Sequence, residues 1–223
     1  ADREGQVAAV DIHVLARPDV HLTALFGPEH GVRGDTTGPI SSTFDPRTGV
    51  PVYSLYGATN KPTPEMLKNV EVLLFDIQDV GARFYTYVST LGHIMTAAAE
   101  NDIPVLVLDR PNPIRGVYVD VPLTHDTLHS FVAYATIPIA HGMTVGELAL
   151  LYNGEGALDN GVKANLTVVK ARHWRRTLWY DETGLPWVPL SPNMPFLTTA
   201  VPYTGPCLFE GTNLSEGRGT DRP

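Results

Sequence analysis

The sequence predicts an α/β fold: a Rossmann-like, mainly parallel sheet with helices on both faces, followed by the start of a second, smaller subdomain. Three observations carry this prediction. Short apolar runs alternate with stretches of helical spacing, the pattern of βαβ units. The runs E-V-L-L-F-D and P-V-L-V-L-D lack polar alternation, as strands covered on both faces do. Past Arg176 the prolines become too dense for a regular helix or a central strand. Residues 1–178 are therefore read as the Rossmann-like domain, and 179–223 as a loop-rich segment leading into the second subdomain.

Each element has its own reason. In 5–16, Val7, Val10, Ile12 and Leu15 fall near helical spacing. Because a helix comes first, the expected sheet has one more strand before Ala1. Residues 20–26, 71–76 and 104–109 read as strands, and 86–101, rich in alanine toward its end, as a helix. Residues 137–140 read as a short strand, 143–153 as a helix and 166–170 as the last strand. Thr144 and Glu147 have the T-x-x-E spacing of a capping box, which assigns Glu147 to closing that helix end and not to chemistry.

Bulk properties narrow the function. The formal net charge is −8, and lysine and arginine form no run. A surface that tracks nucleic-acid phosphates is not expected, and an anionic ligand must be held by a few local arginines. Cys207 is the single cysteine, so the chain builds no internal disulfide and no cysteine-rich zinc site. No apolar run approaches the roughly 18 residues of a membrane span. G-x-S-x-G, the P-loop and a strand-linked G-x-G-x-x-G are all missing, so no cofactor is expected.

Polar residues gather where apolar runs stop. Phe26 leads into G-P-E-H-G, Phe75 into D-I-Q-D, Leu108 into D-R-P-N-P, and the apolar piece 207–209 into E-G-T-N. Open parallel sheets bind ligands outside the carboxyl ends of their strands. Parallel strands would thus bring Glu29, His30, Asp76, Asp79, Asp109, Arg110 and Glu210 to one rim. Each also has a structural reading. Glu29 and His30 make a turn among Gly27, Pro28 and Gly31; Asp76 or Asp79 caps the following helix; Arg110 and Asn112 brace a proline-rich loop; His141 is a satisfied structural histidine. Glu216 and Arg218 lie in a glycine-rich loop without apolar neighbours, which favours binding. Four acidic clusters closing four apolar runs together favour a site. His125-x-x-x-His129 has helical metal spacing but lacks H-E-x-x-H, and no metal is assigned.

The blocks L-F-G-P-E-H-G-V-R-G-D, V-P-V-Y-S-L-Y-G, F-D-I-Q-D-V-G-A-R-F-Y-T-Y, L-D-R-P-N-P, H-G-M-T-V-G-E-L, S-P-N-M-P and F-E-G-T-N-L-S-E-G-R-G-T occur in this order from about residue 25 to 223. They resemble the bacterial exo-β-N-acetylmuramidases. The resemblance implies a Rossmann-like domain and a smaller subdomain with the cleft between them. It also implies removal of N-acetylmuramic acid from the non-reducing ends of peptidoglycan fragments, in a periplasmic or secreted setting. On that reading Glu29 is the general acid or base and His30 adjusts its proton affinity. Asp76 or Asp79 is the second carboxylate, with Glu210 as competitor. Arg83, Arg110 or Arg218 clamps the lactyl carboxylate of the sugar, and Tyr85 or Tyr87 meets its ring. Asn112, His141, Asn193, Asn213 and Glu216 complete the substrate-binding set. The alternatives are a metal-dependent hydrolase using His30, Asp76, Asp79 and His141, and a non-catalytic cell-wall sugar-binding module.

Overall fold

The computed structural model describes residues 18–38 and 41–223, so the helix expected over 5–16 lies outside the described residues. Two three-stranded ladders form among them. The first consists of β1 (Leu25–Gly27), β2 (Thr43–Phe44) and β3 (Pro51–Ser54), in the order β1-β3-β2. β1 runs parallel to β3, with Phe26 opposite Tyr53, and β2 runs antiparallel to it. Of the strand expected over 20–26 only the end forms, and Pro28, which lacks an N–H, follows it. Asp45 builds the β2–β3 connection. Its carboxylate accepts the backbone N–H groups of Arg47 and Thr48, the Thr48 hydroxyl and the Arg33 guanidinium at 2.8–3.2 Å. Burial acts to raise the Asp45 carboxyl, but the Thr48 and Arg47 bonds and the Arg33 charge outweigh it and hold it below its ordinary value.

The second ladder, β4 (Leu73–Phe75), β5 (Val105–Leu108) and β6 (Leu166–Val169), is wholly parallel in the order β4-β5-β6. Parallel neighbours require crossovers. These are α1 (Tyr87–Glu100) and α2 (Val145–Gly154), close to the helices expected over 86–101 and 143–153. The capping box is present: Thr144 accepts the Glu147 N–H and Glu147 accepts the Thr144 N–H. Leu73, Phe75, Val105 and Val107 meet Leu91 and Met95 of α1 and Leu148 and Tyr152 of α2 in one buried cluster. Each such side chain contributes roughly 1.5–3 kcal/mol when fully buried. The register places Leu74, Leu106 and Thr167 on the opposite face, where Leu74 and Val169 are exposed among the described residues.

α1 is buried nearly all round, from Tyr87 to Ala98. A Cβ on Gly92 would stand 2.2 Å from the Tyr134 ring, so that aromatic packs directly on the helix backbone. A second cluster joins Val80, Ala82, Tyr85 and Tyr87 to Leu190, Met194 and Ala200, with Trp187 and Tyr203 packed against it. The Tyr87 hydroxyl adds a bond to the Leu190 carbonyl at 2.6 Å. Through this cluster the proline-rich segment, including α3 (Leu197–Ala200), lies against the entrance of α1.

Three expectations need correction. Residues 137–140 form no strand; Pro138 removes a ladder donor, and only isolated bridges from Ala140 to Ala82 and Asp120 remain. The apolar piece 207–209 lies in a 3-10 turn, Pro206–Gly211, and Leu208 and Phe209 are exposed. β1 belongs to a different ladder from β4 and β5, so one sheet rim does not gather the acidic clusters.

Candidate active site

After Pro28 the chain reverses. The Gly31 N–H donates to the Pro28 carbonyl at 2.9 Å, and His30 (φ 73°) and Gly31 (φ 77°) both enter the left-handed region. For histidine this costs on the order of 1–2 kcal/mol. His30 Nδ1 donates to the Thr36 carbonyl at 2.9 Å, which ties down the turn and directs the ring there. The same turn walls a cavity of about 160 Å³, lined also by Arg33, Phe44 and Asp45, with Phe44 69% exposed.

Glu29 is half-buried against the entrance of α1. Its Oε2 accepts the Thr86 hydroxyl at 2.8 Å. Three phenols share its surroundings. Burial, then the Glu29 charge, pushes the Tyr56 phenol above its ordinary value. Burial raises Tyr87 much further, with the neighbouring Tyr85 opposing and Glu29 adding. Tyr203 is raised by burial first, then by Cys207, with Glu29 adding and Arg218 opposing. All three phenols stay protonated at neutral pH; the Tyr87 hydroxyl donates to the Leu190 carbonyl and Tyr203 bonds to Cys207, which leaves Tyr56 as the phenol turned to Glu29.

The other carboxylates each sit in a network of their own. Asp76 is paired with Arg110, whose Nε and Nη2 approach Oδ1 at 2.7 and 2.5 Å. Asp79, 4% exposed, accepts the Gly81 N–H at 2.7 Å and His141 Nε2 at 3.0 Å. The Met143 N–H donates to His141 Nδ1 at 3.2 Å, which assigns the ring proton to Nε2. Neither aspartate caps α1; its N-cap is Thr86. Asp109 accepts the Thr144 hydroxyl and the Gly146 N–H at the start of α2. Glu210 pairs with Arg218, which also donates to Glu216 at 2.9 Å.

Of the residues expected to bind substrate, several are engaged by the fold itself. Arg83 Nη1 donates to the carbonyls of Pro122 and Ile137 at 2.8 and 2.6 Å. Asn112 donates to the Met143 carbonyl and accepts the Ile114 N–H. Tyr85 is buried, edge-on to Tyr87 and Tyr203 at 4.7 and 5.8 Å between ring centroids. Asn193 accepts the Gly219 N–H at 2.9 Å, and Asn213 is exposed. Arg218 is the candidate arginine whose surroundings lead to Glu29, through Tyr203. Among the described residues no three His, Cys, Asp or Glu side chains converge as a metal site; of His30, Asp76, Asp79 and His141, only the last two meet.

Thr86, Tyr56 and Tyr203 were not singled out from the sequence. Thr86 and Tyr56 stand inside quoted blocks, F-Y-T-Y and S-L-Y-G. A hydroxyl next to an apolar run reads as ordinary packing until its partner is seen.

Comparison with known proteins bears on the whole chain. Residues 4–198 match the N-terminal family of exo-β-N-acetylmuramidase NamZ, and 201–223 match its C-terminal family. Tyr203 and Arg218 thus fall in the second match and Glu29 in the first. Peptidoglycan β-N-acetylmuramidase NamZ of Bacillus subtilis (strain 168) is 56% identical over 218 residues, covering 97% of this chain and 51% of that protein. Two crystal structures of DUF1343 family proteins from Bacteroides fragilis NCTC 9343 superpose on it. One has 47% identity and a TM-score of 0.86, covering 96% of this chain and 54% of the other. The second has 41% identity and a TM-score of 0.82, covering 95% and 55%. The chain spans about half the length of these relatives. Two adjoining family matches that together leave out five residues, and a fold shared at more than 40% identity, place the chain in the exo-β-N-acetylmuramidase NamZ family.

Proposed function

We propose that this chain carries the reacting carboxylate of an exo-acting β-N-acetylmuramidase, which releases N-acetylmuramic acid from the non-reducing ends of peptidoglycan fragments outside the cytoplasm. The observation that carries the reading is Glu29, an acid on a strained glycine-rich turn, held by the Thr86 hydroxyl with the protonated Tyr56 phenol beside it. Hydrolysis of a glycosidic bond requires a proton for the leaving oxygen and a group that acts on the anomeric carbon or on a water. A carboxylate that accepts a hydroxyl bond is set up to take a proton from water or to orient the sugar's own acetamido group. Tyr56, half-buried beside Glu29, supplies a donor to a sugar hydroxyl.

The accompanying carboxylate is Asp76 or Glu210. Both are more accessible than Asp79, whose buried Oδ2 holds Gly81 and His141. Arg218 is the arginine assigned to the lactyl carboxylate: Arg83 is bonded to two carbonyls and Arg110 to the half-buried Asp76, whereas Arg218 is more than half exposed and would exchange its Glu210 or Glu216 partner for the sugar. A guanidinium recognises a carboxylate through paired N–H donors. Phe44, exposed at the cavity beside the Glu29 turn, offers apolar surface to the C–H face of a sugar.

The test is hydrolysis of a chromogenic β-N-acetylmuramide by the whole protein, beside the matching glucosaminide. Glu29→Gln is expected to abolish muramide turnover with an unchanged melting temperature. Arg218→Ala is expected to raise KM for the muramide at least tenfold more than for the glucosaminide. Wild-type turnover by the Glu29 variant removes that residue from the mechanism, and equal loss on both sugars removes the clamp.

A further inference from the structure

We infer that Thr86 is a positioning residue for Glu29: it gives up its place as a helix cap and holds the carboxylate from the buried end of α1. The inference rests on the reading of Glu29 above. Thr86 occupies the N-cap of α1, with φ −63° and ψ −12°. A threonine there ordinarily turns its hydroxyl oxygen to the free N–H groups of the first helical turn, a bond that contributes to helix stability. In this chain Thr86 makes no such cap bond. Its Oγ1 donates instead across 57 residues of sequence to Glu29 Oε2, at 2.8 Å.

The two partners differ in rigidity. Thr86 is 8% exposed and begins the most enclosed helix of the described chain. Its carbonyl accepts both the N–H and the hydroxyl of Thr90, at 2.9 and 3.1 Å. Glu29 stands on a surface turn whose next two residues are left-handed. A reacting group carried on a turn requires support from a rigid element to keep its geometry, and Thr86 is the direct bond that supplies it. Among the described residues, the titratable groups that feel the Glu29 charge include Tyr56 after β3, Tyr87 in α1 and Tyr203 after α3, with Arg218 and Cys207 beyond Tyr203. The phenols are neutral.

The experiment compares Thr86→Val, which keeps the shape, Thr86→Ser, which keeps the hydroxyl, and Thr86→Ala, in the whole protein on the chromogenic muramide. Loss of a hydrogen bond to a charged group corresponds to roughly a 10- to 100-fold fall in rate. Thr86→Val and Thr86→Ala are expected to lose kcat by that factor with KM within about twofold. In both, the acidic limb of the kcat–pH profile is expected to move to higher pH, because the donor that favours the charged form is gone. Thr86→Ser is expected to restore rate and profile. A merely structural threonine would lower the melting temperature and leave the pH profile in place. Valine and alanine variants with wild-type kcat and pH profile, in a protein whose Glu29→Gln form is inactive, overturn the inference; so does a serine variant as impaired as the valine one. A wild-type protein inert on the muramide overturns the functional reading itself.

Discussion

Replacing Asp79 by alanine removes a carboxylate that is 4% exposed and has two donors aimed at one oxygen, the Gly81 N–H at 2.7 Å and His141 Nε2 at 3.0 Å. Both donors lie in the interior, where no solvent replaces the lost acceptor. Each unsatisfied buried donor costs about 1–3 kcal/mol, so the pair costs about 4 kcal/mol. The second oxygen, Oδ1, has no hydrogen-bond partner, so its removal offsets a small part of this. For a domain of this size roughly 2–4 °C of melting temperature is lost per kcal/mol. A fall of about 10 °C is therefore expected. Asp79→Asn keeps an oxygen for both donors but buries an unpartnered NH2 where Oδ1 stood, and is expected to lose roughly half as much. The assay is a thermal melt followed by circular dichroism, with turnover per folded molecule measured well below the transition. An alanine variant that melts within about 2 °C of wild type while its turnover drops a hundredfold would refute this reasoning, because Asp79 would then be reacting with substrate and not bracing the loop.

Two further outcomes follow from packing and charge. Gly92→Ala ordinarily favours a helix by about 1 kcal/mol, but here its Cβ meets the Tyr134 ring at 2.2 Å. That ring is pinned by Thr96 at its hydroxyl and by His93 and Tyr152 at its edges. Overpacking of about 1–3 kcal/mol is expected to win, lowering the denaturation midpoint; a raised midpoint would show that Tyr134 moves aside. Asp45 has a folded-state carboxyl held below its ordinary value, so its contribution is present above the unfolded value, near 3.9, and is lost as pH falls through the lowered folded value. Asp45→Asn is expected to be less stable than wild type at pH 7, with the gap closing in strong acid; a gap constant with pH in urea titrations would contradict the sign.

The sequence was most legible where burial acts on a whole run of residues. The runs 71–76, 104–109 and 166–170 contain β4, β5 and β6 because apolar residues dominate these short stretches, and alternate members such as Leu73, Phe75, Val105 and Val107 supply the face buried under α1 and α2. It misled where one residue decides the pairing, as at Pro138, and β2 and β3 were not among the expected elements. The site divides along a different line. Glu29, Asp79, Arg83, Asn112 and His141 look alike as polar residues in glycine- and proline-rich loops. Folding sorts them by burial. Asp79, Asn112 and His141 turn inward and satisfy backbone groups, and Arg83 reaches two carbonyls, whereas Glu29 stays at a half-open position with hydroxyl partners. The outward acid depends on the inward ones. Asp79 and His141 hold the Gly81 turn and Arg83 ties the loop at Ile137, and between them these contacts brace the approach to Thr86. Residues that never touch a ligand can therefore share a motif with the one that does, because the motif records a constraint on the whole loop and not on a single reacting atom.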